Sequence, residues 1–189
     1  MSKEAPTIQG PNRRLWKEVS RWLLLVIVML PCRIGFSQAN PTELKAVFLF
    51  NFAQFVDWPP KAFPAVDSPL VIGVLGTDPF GKTLDDVLRN EKARNRRISL
   101  ERYKRVSDIE NCQILYISRS EQGHIDQILA ALKGKPILTV AETEDFARTG
   151  GMIQFITDRR VHLRINLSAA RSAGLSISAK MLQLAEVIQ

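Results

Sequence analysis

The sequence contains few of the side chains that usually carry catalysis or bind metals. Its 189 residues include only two cysteines and two histidines, Cys32, Cys112, His124 and His162, which lie far apart along the chain. A metal centre needs several such ligands brought together. The sequence also lacks a G-x-S-x-G nucleophile elbow and a glycine-rich dinucleotide fingerprint after a strand. It therefore offers no candidate catalytic, cofactor-binding or metal-binding residue.

An apolar run long enough to span a membrane is missing from the N-terminal segment. Its run Trp22–Leu30 has nine residues and follows a basic stretch. As a helix it rises about 14 Å, roughly half of a ~30 Å hydrocarbon core. The small residues Ser37 and Ala39 occupy the two positions that a signal peptidase reads. We predict a secretory signal at residues 1–39, cleaved before Asn40; an uncleaved membrane anchor is the alternative.

The positive charge of the sequence lies partly outside the predicted mature domain. The chain has 26 basic and 19 acidic residues, a net charge of +7. Residues 1–39 hold six of the basic and two of the acidic ones, so residues 40–189 keep 20 and 17, a net charge of +3. This balance gives little support to nucleic-acid binding. Residues 40–189 contain one cysteine, Cys112, which excludes an internal disulfide and suits a small buried apolar residue.

Strand and helix patterns alternate through residues 40–189. The apolar runs Leu70–Leu75, Cys112–Ile117 and Ile137–Val140 are typical of parallel strands buried on both faces. Met152–Ile156 and Val161–Leu167 alternate with period two, which predicts an antiparallel hairpin at one edge. The pattern predicts one α/β domain with a mostly parallel sheet, helices on both faces and an antiparallel C-terminal hairpin.

Capping residues and apolar spacing place the helices. The first is predicted to start at Thr42, with Leu44, Val47, Phe48, Phe52 and Phe55 inward. Further helices are predicted to start at Asp78-Pro79, at Ser120 or Glu121, at Glu142, near Ala169, and after a Ser178 cap with Met181, Leu182, Leu184 and Ala185 inward.

Two features each allow a functional and a structural interpretation. The phenylalanines of Phe48–Trp58 could line a pocket for an aromatic ligand, although a buried helix face is favoured. The basic segment Arg89–Arg105 could bind an acidic partner or an anionic membrane surface. We favour a solvated sheet edge, where Lys and Arg deter unwanted strand pairing.

Residues Gly76–Thr83 match the P-loop pattern G-x-x-x-x-G-K-T after a strand. A P-loop binds phosphate through consecutive backbone N–H groups, and Pro79 has none. Asp78 would also place negative charge beside the phosphates. We therefore predict that this segment is not a nucleotide site.

Four pieces of sequence, in order, resemble the YfiR family of bacterial periplasmic proteins. They are Phe50–Pro59, Ile137–Val140, the Gly-Gly-Met-Ile-x-Phe of Gly150–Phe155, and Arg164–Ala185, which contains Ile-Asn-Leu-x-Ala-Ala and Ala-Gly-Leu-x-Ile-Ser. The resemblance spans about residues 40–188. Some members of the family have disulfide pairs, which residues 40–189 cannot form.

The resemblance implies a periplasmic regulator rather than an enzyme. YfiR-like proteins inhibit a membrane-bound diguanylate cyclase through its periplasmic sensor domain, and so lower cyclic di-GMP and biofilm formation. An OmpA-like outer-membrane lipoprotein sequesters the inhibitor. A second copy of the chain, in a homodimer, is a further expected partner. No cofactor is implied. Members of the family also occur beside other sensors, such as histidine kinases.

Two sites follow as expectations. If the hairpin strand buries Val161, Leu163, Ile165 and Leu167, its outward row with the neighbouring turn is the candidate partner-binding set: Gly150, Gly151, His162, Arg164 and Asn166. Arg164 would face an acidic group of the partner or pair with a carboxylate of its own surface. The alternative function is a small-molecule binder with a site at the carboxyl ends of the parallel strands, lined by Gly76–Gly81, Ser118–Gln122 and Ala141–Thr143.

Overall fold

The computed structural model describes residues 40–189. The predicted signal at residues 1–39 and its cleavage site lie outside the described residues. Helix α1 spans Pro41–Phe55, one residue earlier than predicted, because Asn40 caps it by accepting a 3.0 Å hydrogen bond from the N–H of Thr42. Within residues 40–189, no helix is long and apolar enough to cross a membrane.

The buried face of helix α1 includes Phe52, as predicted, but is otherwise shifted from the predicted face. Ala46, Leu49, Phe52 and Ala53 are fully buried, whereas Val47 is 37% exposed. The apolar spacing in the sequence predicts that the larger apolar side chains occupy the inner positions. In the structure two alanines lie on the inner face, and their small side chains let the helix approach the sheet closely.

Within residues 40–189, eight strands form one sheet, and two short strands form a separate pair. The sheet contains β2 (Leu70–Leu75), β3 (Lys92–Ala93), β4 (Arg96–Tyr103), β5 (Ile114–Ile117), β6 (Leu138–Ala141), β7 (Ile153–Thr157), β8 (Val161–Asn166) and β10 (Ala185–Ile188); the pair contains β1 (Val56–Asp57) and β9 (Ser176–Ile177). The order across the sheet is β10-β8-β7-β6-β5-β2-β4-β3. Strands β4, β2, β5, β6 and β7 are parallel, and β7 and β8 form the predicted antiparallel hairpin. The α/β fold with a mostly parallel sheet is confirmed.

Four further helices of the described part of the chain cover the sheet: α2 (Lys82–Leu88), α3 (Ile125–Leu132), α4 (Leu167–Ser172) and α5 (Ala179–Leu182). Ser178 caps α5 as predicted, with its hydroxyl accepting from the N–H of Met181. The predicted helix start at Asp78-Pro79 was wrong. Helix α2 begins three residues later, at Lys82 instead of Pro79, because the Asp78 side chain accepts the Phe80 N–H in a tight local turn. The predicted start at Ser120 falls in a 3₁₀ segment, Arg119–His124, that leads into α3.

The segment 142–147 was predicted as a helix and is a series of turns. Asp145 has a φ of 55°, which a helix does not tolerate. The N–H of Gly151 donates to the carbonyl of Phe146 (2.9 Å), so the chain folds back tightly before β7.

The sheet has a core on each side. Helices α1 and α2 pack on one face, against side chains that include Ile72, Phe155 and Ile165. Helix α3 and Phe146 pack on the other face, against Leu115 and Ile117. Alternate residues of the central strands therefore serve opposite cores, as expected for a doubly covered parallel sheet.

The last strand, β10, is the main error of the sequence-based prediction. Residues beyond Leu182 were expected to continue a helix with Leu184 and Ala185 inward. Instead Leu184 is 72% exposed, and Ala185–Ile188 pairs parallel with β8 at the sheet edge. The hairpin is therefore not the outermost element.

The basic segment lies at the opposite edge of the sheet, as favoured from the sequence, and acidic side chains of the same domain pair with much of it. Arg94 pairs with Asp57, and Arg102 contacts both Asp78 (2.8 Å) and Asp85 (2.6 Å). These contacts leave less unpaired charge for an acidic partner than the sequence suggests.

Candidate partner-binding face and ligand cleft

One part of the sheet lacks a helical cover among the described residues. Phe155, Leu163 and Ile165 face the core beneath α1, so their neighbours face the α3 side. The α3-side core includes no residue of β7, β8 or β10. We call the α3 side of these three strands the open face. Ile156, His162, Glu186 and Ile188 are accessible on it, whereas Gln154 is buried and Arg164 is largely covered.

An ion pair and a histidine–carboxylate contact lie on the open face. The Nη2 atom of Arg164 lies 2.9 Å from Oε2 of Glu186, and its hydrogen bond lowers the pKa of that carboxyl. His162 Nε2 lies 3.2 Å from Asp158 Oδ1. Arg164 is only 16% exposed. Its partner is a carboxylate of its own surface, which is the second of the two arrangements predicted from the sequence.

The other members of the predicted partner-binding set have roles within the domain. Asn166 caps α4, accepting from the N–H of Ala169 (2.8 Å) and donating to the carbonyl of Ala147 (2.8 Å). Gly151 is buried, and a Cβ on it would lie 2.2 Å from the ring of Phe146. The close approach that its missing side chain permits is therefore internal. Gly150 is exposed, with a φ of 107° that favours glycine.

A polar cleft of about 330 Å³ opens where the central parallel strands end. Arg119 and Gln122 follow β5, and Glu142 and Thr143 follow β6; Glu144, Gln154, Phe155, Ile156 and Thr157 complete the lining. Two of the three segments predicted for a small-molecule site therefore meet. The third segment, Gly76–Gly81, does not line this cleft. It contacts the segment Ser118–Gln122 through a 2.9 Å hydrogen bond from the Thr77 N–H to Ser120 Oγ.

Glu142 links helix α1 to the cleft. Its Oε1 accepts hydrogen bonds from Lys45 Nζ (2.5 Å) and Thr157 Oγ1 (2.8 Å), and Arg119 Nη2 lies 3.5 Å away. Burial alone would raise the pKa of Glu142, but the hydrogen bonds and positive charges of its neighbours outweigh burial and lower it. Lys45 is nearly buried in α1. No local sequence pattern indicates this pair, because the two residues are 97 positions apart.

Thr143 places an unsatisfied polar group beside the cleft. The residue is 9% exposed, and its Oγ1 makes no hydrogen bond with any described residue. A buried hydroxyl without a partner costs free energy.

The segment with the P-loop pattern uses its N–H groups internally. The N–H of Gly76 donates to Tyr103, that of Thr77 to Ser120, and that of Phe80 to Asp78. These donors are not arranged around an empty phosphate position.

The aromatic residues of α1 divide between core and surface. Phe52 is fully buried and stacks on Phe155, with ring centroids 5.9 Å apart. Phe48 and Phe55 are partly exposed and line a 260 Å³ apolar pocket with Met181 and Leu184. The buried helix face is confirmed for Phe52, and a small pocket lies beside it.

Cys112 is buried, and desolvation raises the pKa of its thiol to about 12. This environment opposes formation of a thiolate. Among the described residues, no group of three His, Cys, Asp or Glu side chains could hold a metal ion.

Residues 42–186 match the model of a family described as YfiR/HmsC-like. The match covers both cores, the cleft and most of the open face. A comparison with curated proteins finds no match.

Proposed function

The chain belongs to the YfiR/HmsC-like family, and from this premise we propose that it is a periplasmic regulator. It binds the periplasmic sensor domain of an inner-membrane signalling protein, a diguanylate cyclase, and holds that protein inactive. Cyclic di-GMP and biofilm formation then rise when the regulator is removed or sequestered by an OmpA-like outer-membrane lipoprotein. The family match carries this proposal.

The open face supports it as the surface that meets the sensor. Ile156 and Ile188 are partly exposed and pack against neither core. They flank the exposed His162 and the Arg164–Glu186 pair, so apolar and polar contacts lie on one surface. Protein interfaces commonly combine such contacts. Recognition by Arg164 would act through the pair rather than through a free guanidinium.

Inhibition of this kind needs differential affinity and no chemistry. Suppose that the ratio of active to inactive sensor is 99:1 without the regulator. To change this ratio to 1:99, the regulator must bind the inactive conformation about 10⁴-fold more tightly than the active one. A ligand that binds both conformations equally shifts nothing.

A cellular experiment tests the proposal. We expect deletion of the gene to raise cyclic di-GMP, and the wild-type gene to restore it. A His162→Ala/Ile188→Glu variant should be exported and folded but fail to restore the low level. His124→Ala is the matched control, because His124 is also exposed but lies on the 3₁₀ segment before α3. Unchanged cyclic di-GMP after deletion would reject the proposal.

Export is tested separately. The periplasmic fraction should contain a protein whose N-terminus, measured by mass spectrometry, lies near Asn40. A full-length chain in the membrane fraction would support the anchor instead.

The cleft favours a second candidate function, a small-molecule-binding sensor component that acts with another receptor such as a histidine kinase. Its supporting observation is the unsatisfied Thr143 hydroxyl beside a charged, partly enclosed cleft at the strand ends. Thermal unfolding of residues 40–189 with a panel of amino acids and sugars tests it. A stabilising ligand whose effect disappears in Arg119→Ala would support this function.

A further inference from the structure

A cavity of about 560 Å³ lies between α3 and α4, at the end of the sheet where β6 and β7 begin. The polar cleft lies at the opposite end, where the central parallel strands finish. None of the residues that line the cavity belongs to that cleft or to the open face. Its volume falls within the range of cavities that enclose small molecules.

The floor of the cavity is apolar. Leu132, Ile137, Met152 and Ala173 line it, and each is less than a tenth exposed. Thr139 is the one buried polar side chain of the lining, and its Oγ1 already accepts a 3.1 Å hydrogen bond from the Met152 N–H. The inner part of a ligand would therefore meet hydrocarbon and gain affinity by leaving water.

The rim of the cavity carries one positive charge. The exposed Lys133 is the only charged side chain among the described residues that line it. Free carbonyls at the C-terminal end of α3 would disfavour an anion. Two of them are occupied, because the Lys133 N–H donates to Ala130 (3.3 Å) and the Lys135 N–H donates to Leu132 (3.0 Å). The rim therefore favours a ligand with a negatively charged end.

Gly150 keeps part of the rim uncovered. This exposed residue lines the cavity, and a Cβ on it would lie 4.0 Å from Cδ1 of Leu129 in the cavity wall. A larger side chain at this position would therefore begin to cover the wall. Its φ of 107° also favours glycine.

An apolar floor with one cation at the rim restricts the chemistry of the ligand. Sugars and nucleotides need several hydrogen-bonding partners placed around them, which this lining does not offer. A carboxylate with an unbranched alkyl chain matches both parts of the cavity. We propose that the cavity binds a fatty acid, with its chain against Ile137 and Met152 and its carboxylate beside Lys133. This site is independent of the proposed regulator function.

Calorimetry of residues 40–189 with sodium decanoate tests the proposal. The wild type should bind one decanoate saturably. Sodium octanoate should bind roughly tenfold more weakly, because it buries two fewer methylenes. Saturable binding that does not depend on chain length, or no saturable binding at all, would overturn the proposal.

The role of Lys133 is tested by reversing its charge. Lys133→Glu should bind decanoate about fivefold more weakly, the size of a strong exposed ion pair, with an unchanged Tm. Lys180→Glu is the matched control, because Lys180 is an exposed lysine that lines the 260 Å³ apolar pocket instead. It should bind like the wild type. An equal or larger loss in Lys180→Glu would overturn the assignment of the carboxylate.

Methionine methyl signals in NMR spectra locate the chain. Residues 40–189 contain two methionines: Met152 lines the cavity, and Met181 lines the 260 Å³ apolar pocket. Decanoate should shift the Met152 signal at concentrations that leave the Met181 signal unchanged. The Met152→Leu variant assigns the two signals. A shift of Met181 alone, or equal shifts of both, would overturn the location.

Discussion

The guanidinium of Arg164 lies 2.9 Å from the carboxylate of Glu186, and the pair joins the last strand of the sheet to the β7–β8 hairpin. Arg164 is largely covered, whereas Glu186 is about half exposed. The pair thus contributes both to the attachment of β10 and to the chemistry of the open face. A single substitution of Arg164 changes both, so loss of binding alone would not identify a contact with the partner.

A charge swap separates the two roles. Arg164→Glu should lower the Tm, because it places two carboxylates together beneath partial cover. Arg164→Glu/Glu186→Arg should recover most of that loss, since the pair is restored in reverse. If the double variant is as unstable as the single variant, the pair does not hold β10.

The double variant also tests recognition. If the sensor domain contacts the charged groups of the open face, the charge-swapped protein should be stable but should bind the sensor domain more weakly. Wild-type affinity in the swapped protein would assign the pair a purely internal role.

Gly151→Ala should destabilise the domain. Its new Cβ would lie 2.2 Å from the buried Phe146 ring, and overpacking of this kind costs about 1–3 kcal/mol. Gly123→Ala is the control, because nothing lies within 4 Å of its Cβ position. Urea unfolding of both variants measures the difference. Equal stability would show that the turn before β7 can adjust.

Lys45→Ala should cost about 3 kcal/mol of unfolding free energy, the lower end of the range for breaking a buried ion pair. The reason is that Glu142 would remain in a covered position without its main cation. Lys133→Ala, an exposed lysine at the end of α3, should have little effect. Chemical denaturation of the two variants checks the comparison.

The same contact predicts how stability depends on pH. The pKa of folded Glu142 is lowered from its ordinary value of 4.5. Its contribution is therefore present above pH 4.5 and is lost as the pH falls through the lower folded pKa. Glu142→Gln should lose less stability on acidification than the wild type. An identical acid dependence of the two proteins would contradict this assignment.

Phe52→Ala should lower the unfolding free energy by about 3–5 kcal/mol, since the ring is fully buried. Phe55→Ala should cost less, because Phe55 lies at the apolar pocket and is partly exposed. Thermal melts of both variants test this order. A stable Phe52→Ala protein would mean that the surrounding rings repack.

The sequence was sufficient to predict the parts of the fold that depend on local pattern. Leu70–Leu75 was placed within its observed bounds, because six consecutive apolar residues can be buried on both faces only in a covered sheet. The hairpin alternation was also informative, and its inward positions Leu163 and Ile165 are buried.

Features that depend on distant contacts could not be read in this way. Strand β10 has only four residues and follows a short helix, so its local pattern also suits a helical continuation. Without β10, Glu186 could not be placed beside Arg164. Similarly, the sequence alone puts Gly151 in the partner-binding set, because nothing in the local pattern places the Phe146 ring against it.

The central claim is tested by direct binding between residues 40–189 and the purified periplasmic domain of the membrane sensor whose gene lies beside the gene for this chain. Calorimetry should give a saturable complex with the wild type and with His124→Ala. The His162→Ala/Ile188→Glu variant should bind at least tenfold more weakly, with a Tm close to that of the wild type. Equal affinity for all three proteins would place the interface elsewhere, and no binding by the wild type would contradict the regulator proposal.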